Sequence, residues 1–181
     1  MGQYYYPVNI DKKPHEYLYS HDGLKLMEHS YIYDNGNNFV GAVLNLLTPD
    51  GAWYKSRIVW AGDYADSEDG TIDAEHKDGV NLHSQADIDG LRIKPDATDF
   101  NYQAYPFLVN WTKKCAVAFP ERNEQVLTVN PLPLLTCEGN GRGGGDYQKE
   151  DSRVGSWARD VISVEEKVPD GFAVENGVFT E

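Results

Sequence analysis

The feature that most constrains this chain is internal repetition. Val8-Asn9-Ile10-Asp11-Lys12-Lys13 resembles Val109-Asn110-Trp111-Thr112-Lys113-Lys114, and each is preceded by tyrosine and proline. Leu46-Leu47-Thr48-Pro49-Asp50-Gly51 resembles Leu134-Leu135-Thr136-Cys137-Glu138-Gly139. Gly51-Ala52-Trp53, with Ile58 five residues past the tryptophan, resembles Gly155-Ser156-Trp157, with Ile162 five past. Matches in one order imply a duplicated hairpin–apolar segment–strand unit. One such unit would struggle to bury its own apolar face, and two related by a pseudo-twofold cover each other. The expected fold is α+β, with two related halves packed as one compact pseudo-twofold globule. Residues 1–99 form the first half, with short helices and an acidic connection; residues 100–181 form the second, with a Gly-rich loop.

Local chemistry fills in the units. Tyr4 to Lys13 reads as a strand that breaks at Lys12-Lys13-Pro14-His15, with a second short strand over Glu16–Tyr19. Helical spacing marks Gly23–Ser30 and Phe39–Leu47. Aromatic and β-branched residues mark Trp53–Trp60, Tyr105–Asn110, Ala116–Phe119 and Trp157–Val164 as strands, with a further short one over Gln125–Val129. Pro131 and Pro133 argue against a regular helix interior around Leu132–Leu135. Asp63–Asp99 is crowded with carboxylates and reads as an exposed connection, and the tail from Glu175 is weakly specified.

Charge narrows the function classes. The net charge is −13, and a phosphate-binding surface needs concentrated Lys and Arg, so direct nucleic-acid binding is disfavoured. An anionic membrane leaflet would repel the same surface. No apolar run is long enough to span a bilayer, and the N-terminus lacks a basic and an apolar region, so no signal peptide is expected. Cys115 and Cys137 lack CxxC spacing and are expected to be buried free thiols. The expected location is cytoplasmic.

Gly139, Gly141 and Gly144 satisfy GxGxxG by letter. No helical pattern follows them, so the dinucleotide fingerprint is rejected. Bare amides of Gly141, Gly143 and Gly144 with Arg142 remain a candidate anion cradle. Lys113-Lys114, with Lys12-Lys13 as its repeat, is a basic turn suited to cupping an anion. Asp63 and Asp66 end a strand, where convergent carboxylates serve acid–base or Mg²⁺ chemistry. His15, His21, His29, His76 and His83 show no HExxH or HxH spacing, so no metal and no cofactor is expected.

Met1-Gly2-Gln3-Tyr4-Tyr5 with Val8-Asn9 and Asp11-Lys12-Lys13, then Asn110-Trp111-Thr112-Lys113-Lys114, then Gly139 through Asp146-Tyr147, resembles a family of uncharacterised proteins of bacteria, phages and some fungi. That family carries Gly-x-Trp-x-Gly-Asp-Arg before a strand and then Gly-Asp-Tyr. Arg57 and Gly62-Asp63-Tyr64 match it, while Ser56 replaces the aspartate; Asp160 keeps the aspartate, and Val161 replaces the arginine. The resemblance implies no particular activity.

The leading expectation is a non-enzymatic binding protein, of a phage-type host-interaction or anti-defence kind, for a protein partner or a small anionic ligand. One alternative is a nucleotide-directed hydrolase or transferase using Asp63 with Asp146 or Asp160, and Arg142 on phosphate. The other is an acidic DNA mimic built on Asp63–Asp99.

Overall fold

Alternation along β1 (Tyr5–Asn9) sets up two apolar layers. Tyr5 enters one core cluster, while Tyr6 and Val8 enter another. β3 (Ser56–Gly62) does the same, dividing Ile58 and Trp60 from Val59 and Ala61. These are facts of a computed structural model that describes residues 3–19, 24–31, 38–63, 81–94, 99–121, 128–139, 147 and 149–179.

The architecture is α+β. The remaining strands are β2 (Glu16–Tyr17), β4 (Leu91–Arg92), β5 (Phe107–Asn110), β6 (Cys115–Ala118), β7 (Cys137–Glu138), β8 (Val161–Glu165) and β9 (Ala173–Glu175). Among the described residues they form one sheet in the order β4-β2-β1-β3-β8-β5-β6-β9, with β7 added in parallel to β3. β3 and β8 meet antiparallel at the middle, with Arg57 opposite Val161. Each edge strand lies parallel to the second strand of a hairpin, β4 to β2 and β9 to β6.

Helices α1 (Leu26–Ser30), α2 (Asn38–Leu46) and α4 (Pro131–Thr136) cover the face of Tyr5 and Trp60. They bury Leu26, Val43, Leu44, Leu132 and Leu135, each contributing about 1.5–3 kcal/mol. α3 (Leu82–Asp89) covers the other face with Leu82 and Ala86, spaced one turn apart.

Several local expectations are corrected. The strands do not begin at Trp53 and Trp157. Each tryptophan sits in a turn, its backbone N–H bonded to Leu46 O or Leu135 O, and pairing starts only after Lys55 and Arg159, both at positive φ. The Leu132–Leu135 segment is helical after all. Pro131 and Pro133 fall in the first turn, where N–H groups have no intrahelical partner, and Asn130 caps it. The acidic connection holds α3, capped by Asn81 on Ser84 N. Its sequence pattern is scarcely amphipathic, with only Leu82 and Ala86 buried. The tail is docked: Arg153 donates to Asn176 O and Val178 O, and Phe179 is buried. The strand expected over Gln125–Val129 falls mostly outside the described residues; Val129 makes a single bridge to Tyr31.

His29 lies fully inside the large core, accepting at Nδ1 from Trp60 Nε1 at 3.0 Å and edge-on to Phe39. Burial lowers its pKa from 6.5 to about 3. Between those values the unfolded chain binds a proton that the native state refuses, so His29 makes stability fall as pH drops. We expect His29→Gln to flatten the stability profile by about 1.4 kcal/mol per pH unit between pH ~4 and ~6. Urea unfolding across that range measures it, and equal slopes in both proteins would refute it.

Candidate functional site

Asn110 ends β5 and organises the turn that follows. Its Oδ1 accepts from Lys113 N at 2.9 Å, and its Nδ2 donates to Asp160 Oδ2 at 2.8 Å. Lys113 Nζ donates to the same Asp160 oxygen and to Ser156 O, both at 2.6 Å. The sequence assigned Lys113 to ligand binding and Asp160 to catalysis. The structure brings them together as an ion pair that ties the β5–β6 hairpin to the approach of β8. Lys114 is exposed in the left-handed region, and its carbonyl accepts from Ala173 N.

Asp63 lies elsewhere. Asp160 O accepts from Ile58 N, and Asp63 stands five residues farther along the same strand direction. At ~3.3 Å per residue the two aspartates are separated by about 16 Å, so they do not share one site. Asp63 Oδ1 is buried without a hydrogen-bond partner among the described residues. Burial, the main cause, raises its pKa from the ordinary carboxylate value, against backbone hydrogen bonds from Asp63 and Tyr4 that lower it. Gly141, Arg142, Gly143, Gly144 and Asp146 lie outside the described residues, as does Asp66.

A group that no motif announced sits where the two halves of the sheet meet. Lys55 Nζ lies 3.6 Å from the centroid of the Trp111 ring and 5.1 Å from that of Tyr54. Trp111 Nε1 donates to Ser163 Oγ, which donates to Glu165 Oε1, each at 2.7 Å. Tyr54 closes the chain by hydrogen bonding to Glu165, a bond that with burial, the larger cause, pushes its phenol pKa up. Phe172 meets Trp111 edge-on at 5.2 Å. Tyr54, Trp111 and Phe172 come from distant segments, so spacing carried no trace of the cluster.

Two further ion pairs flank this seam. Arg57 Nε bonds Asp11 Oδ1 at 2.6 Å in the open, with side chains 51% and 36% exposed. Arg159 grips Glu138 with two bonds of 2.8 and 2.7 Å, and here the side chains are 13% and 0% exposed.

On the opposite side of the first half, α3 packs a polar aromatic cluster against β1 and β2. His83 stacks on Tyr6 at 4.0 Å, Tyr17 donates to Asp87, and Arg92 lies 4.5 Å over Tyr19. Burial pushes Tyr6 up to about 12 and His83 down to about 4, leaving both neutral at pH 7. Among the described residues no group of His, Cys, Asp and Glu is arranged to hold a metal. Both cysteines are buried and in no disulfide, and burial, the main cause, raises the Cys115 thiol to about 11.

Comparison with protein-family models, curated proteins and solved structures returned no match. The two ion pairs differ in burial, so losing them should differ in cost. Glu138→Ala removes a fully buried carboxylate and both of its bonds to the largely buried Arg159 guanidinium, and should cost about 3–5 kcal/mol. Asp11→Ala, at an exposed pair, should cost under about 1 kcal/mol. Urea midpoints of the two variants test this, and similar losses would count against it.

Proposed function

We propose that this chain is a non-enzymatic binding protein on a duplicated scaffold, and that it meets a protein partner at the seam between its halves. Paired hydrogen bonds support the duplication. Ile10 N donates to Arg57 O as Trp111 N donates to Val161 O. Arg57 N is held by Asp11 as Val161 N is held by Thr112. Tyr54 N donates to Gly51 O as Ala158 N donates to Gly155 O. Lys55 and Arg159, each two residues past a tryptophan, share positive φ. Arg57 and Val161, each four past it, pair across the middle of the sheet, where a pseudo-twofold would pass.

The observation that carries the binding reading is the Tyr54–Lys55–Trp111 surface. Trp and Tyr are enriched in binding hot spots, and here the Trp111 ring is held by its own hydrogen bonds with Tyr54 beside the same exposed lysine. A small anionic ligand at Lys114 and the Gly141–Gly144 loop is less favoured, because Lys113 is committed to Asp160. The resemblance to an uncharacterised family of bacteria, phages and some fungi is compatible with a phage-type host-interaction or anti-defence role. Bait protein in host lysate should retain a partner that, once purified, binds Trp111→Ala about thirtyfold more weakly. Equal affinity for both forms would overturn the seam as the binding face.

Asp63 favours a second reading, a nucleotide-directed hydrolase or transferase. Perturbed carboxylates with unsatisfied oxygens cluster at working sites, and Asp63 has both properties. In that case Asp63→Ala should abolish nucleotide turnover without shifting the melting temperature downward. Turnover that survives the substitution would remove Asp63 from consideration.

A further inference from the structure

The seam surface has the chemistry of an ammonium site. Trp111 and Tyr54 present ring faces, and the negative face of an aromatic quadrupole attracts a cation. The Trp111–Ser163–Glu165–Tyr54 hydrogen bonds anchor the polar atoms of both rings and do not involve Lys55. Glu165 adds a carboxylate to that support. Among the described residues the ammonium of Lys55 is in no ion pair, and its contacts are with the two rings. Lys55 is itself solvent-exposed, so its chain can leave without disturbing the core. The corresponding residue of the other half, Arg159, turns inward to Glu138 instead. The −13 charge of the chain concentrates cations around it.

We propose that Tyr54 and Trp111, backed by Glu165, form a recognition site for an alkylammonium group, with Lys55 as an internal occupant that an incoming ligand displaces. The natural source is a lysine side chain of the partner, N-methylated forms being favoured because a methylated ammonium gives up less hydration to lie on a ring. This part rests on the protein-partner reading. The ring site itself does not, so the two can fail separately.

Tetramethylammonium chloride is the direct probe, with sodium chloride as the ionic-strength control. Trp53, Trp60 and Trp157 are 0%, 0% and 2% exposed, so a fluorescence change on titration reports Trp111. Lys55→Ala should bind tetramethylammonium about three- to fivefold more tightly than the unsubstituted protein, since no internal cation competes. Lys55→Asn, which tolerates the positive φ of this position, provides the same readout if the alanine variant folds poorly. Trp111→Ala in either background should lose the response. A peptide bearing trimethyllysine should displace tetramethylammonium, and more strongly than its unmodified counterpart, if the source is a protein side chain; equal displacement by the two would overturn the methyl preference, and no displacement by either would leave a free quaternary ammonium as the ligand and overturn the lysine assignment. No saturable response in the Lys55 variants, or one that survives loss of Trp111, would overturn the ammonium site while leaving the seam available to a partner of other chemistry.

Discussion

The antiparallel join of β3 to β8 is the contact on which the other features of this molecule depend. Its ladder is short, pairing Ser56 with Ile162 and Arg57 with Val161, and it is extended by Ile58 N to Asp160 O and Arg159 N to Ile58 O. So short a ladder needs support from packing. Ile58 and Ile162 supply it from full burial in one core. Interlocking supplies the rest. Leu47 O, at the end of α2, accepts from Val164 N of β8, and β7 pairs with Trp60 and Ala61 of β3. Each half of the chain therefore helps to complete a strand of the other.

The same join explains the seam surface. Before β3 and before β8 the chain must turn sharply, and Lys55 and Arg159 take positive φ to do it. That conformation is unfavourable for residues with a Cβ and persists only where the surroundings over-determine it. It also throws both long cationic side chains out of the strand path. One finds Trp111, the other finds Glu138. The difference follows from what lies opposite: an indole on a hydrogen-bonded mount in the first case, a buried carboxylate in the second.

Much of the fold was legible because much of it is local. Asn9 and Asn110 bond to the backbone just beyond them, and each closes a strand at a hairpin that sequence alone places. The apolar spacing of α2 and the aromatic run of β5 needed no tertiary information. The edges were not legible. β4 and β9 are two- and three-residue strands with exposed side chains, which exist because a hairpin offers them a ladder. α3 hid inside an acidic stretch because only Leu82 and Ala86 mark its buried face. Candidate site residues divided in the same way. Lys113 and Asp160 were visible as charged groups, but charge type alone does not say that each is the other's partner.

By itself the sequence determined the hairpins, the spacing of the longer helices, the aromatic and β-branched strands, and the strongly acidic balance. Periodicity and turn chemistry act over a few residues, and composition needs no geometry at all. The tertiary structure decided which charges face one another, how Asp63 Oδ1 came to be buried, and that Lys55 rests on the ring of its neighbour Tyr54 and on that of Trp111 from a distant segment. Those outcomes depend on the β3–β8 register, which sums interactions from both halves of the chain. The β3–β8 register fixed where the seam falls, and the packing across it fixed what the seam can hold.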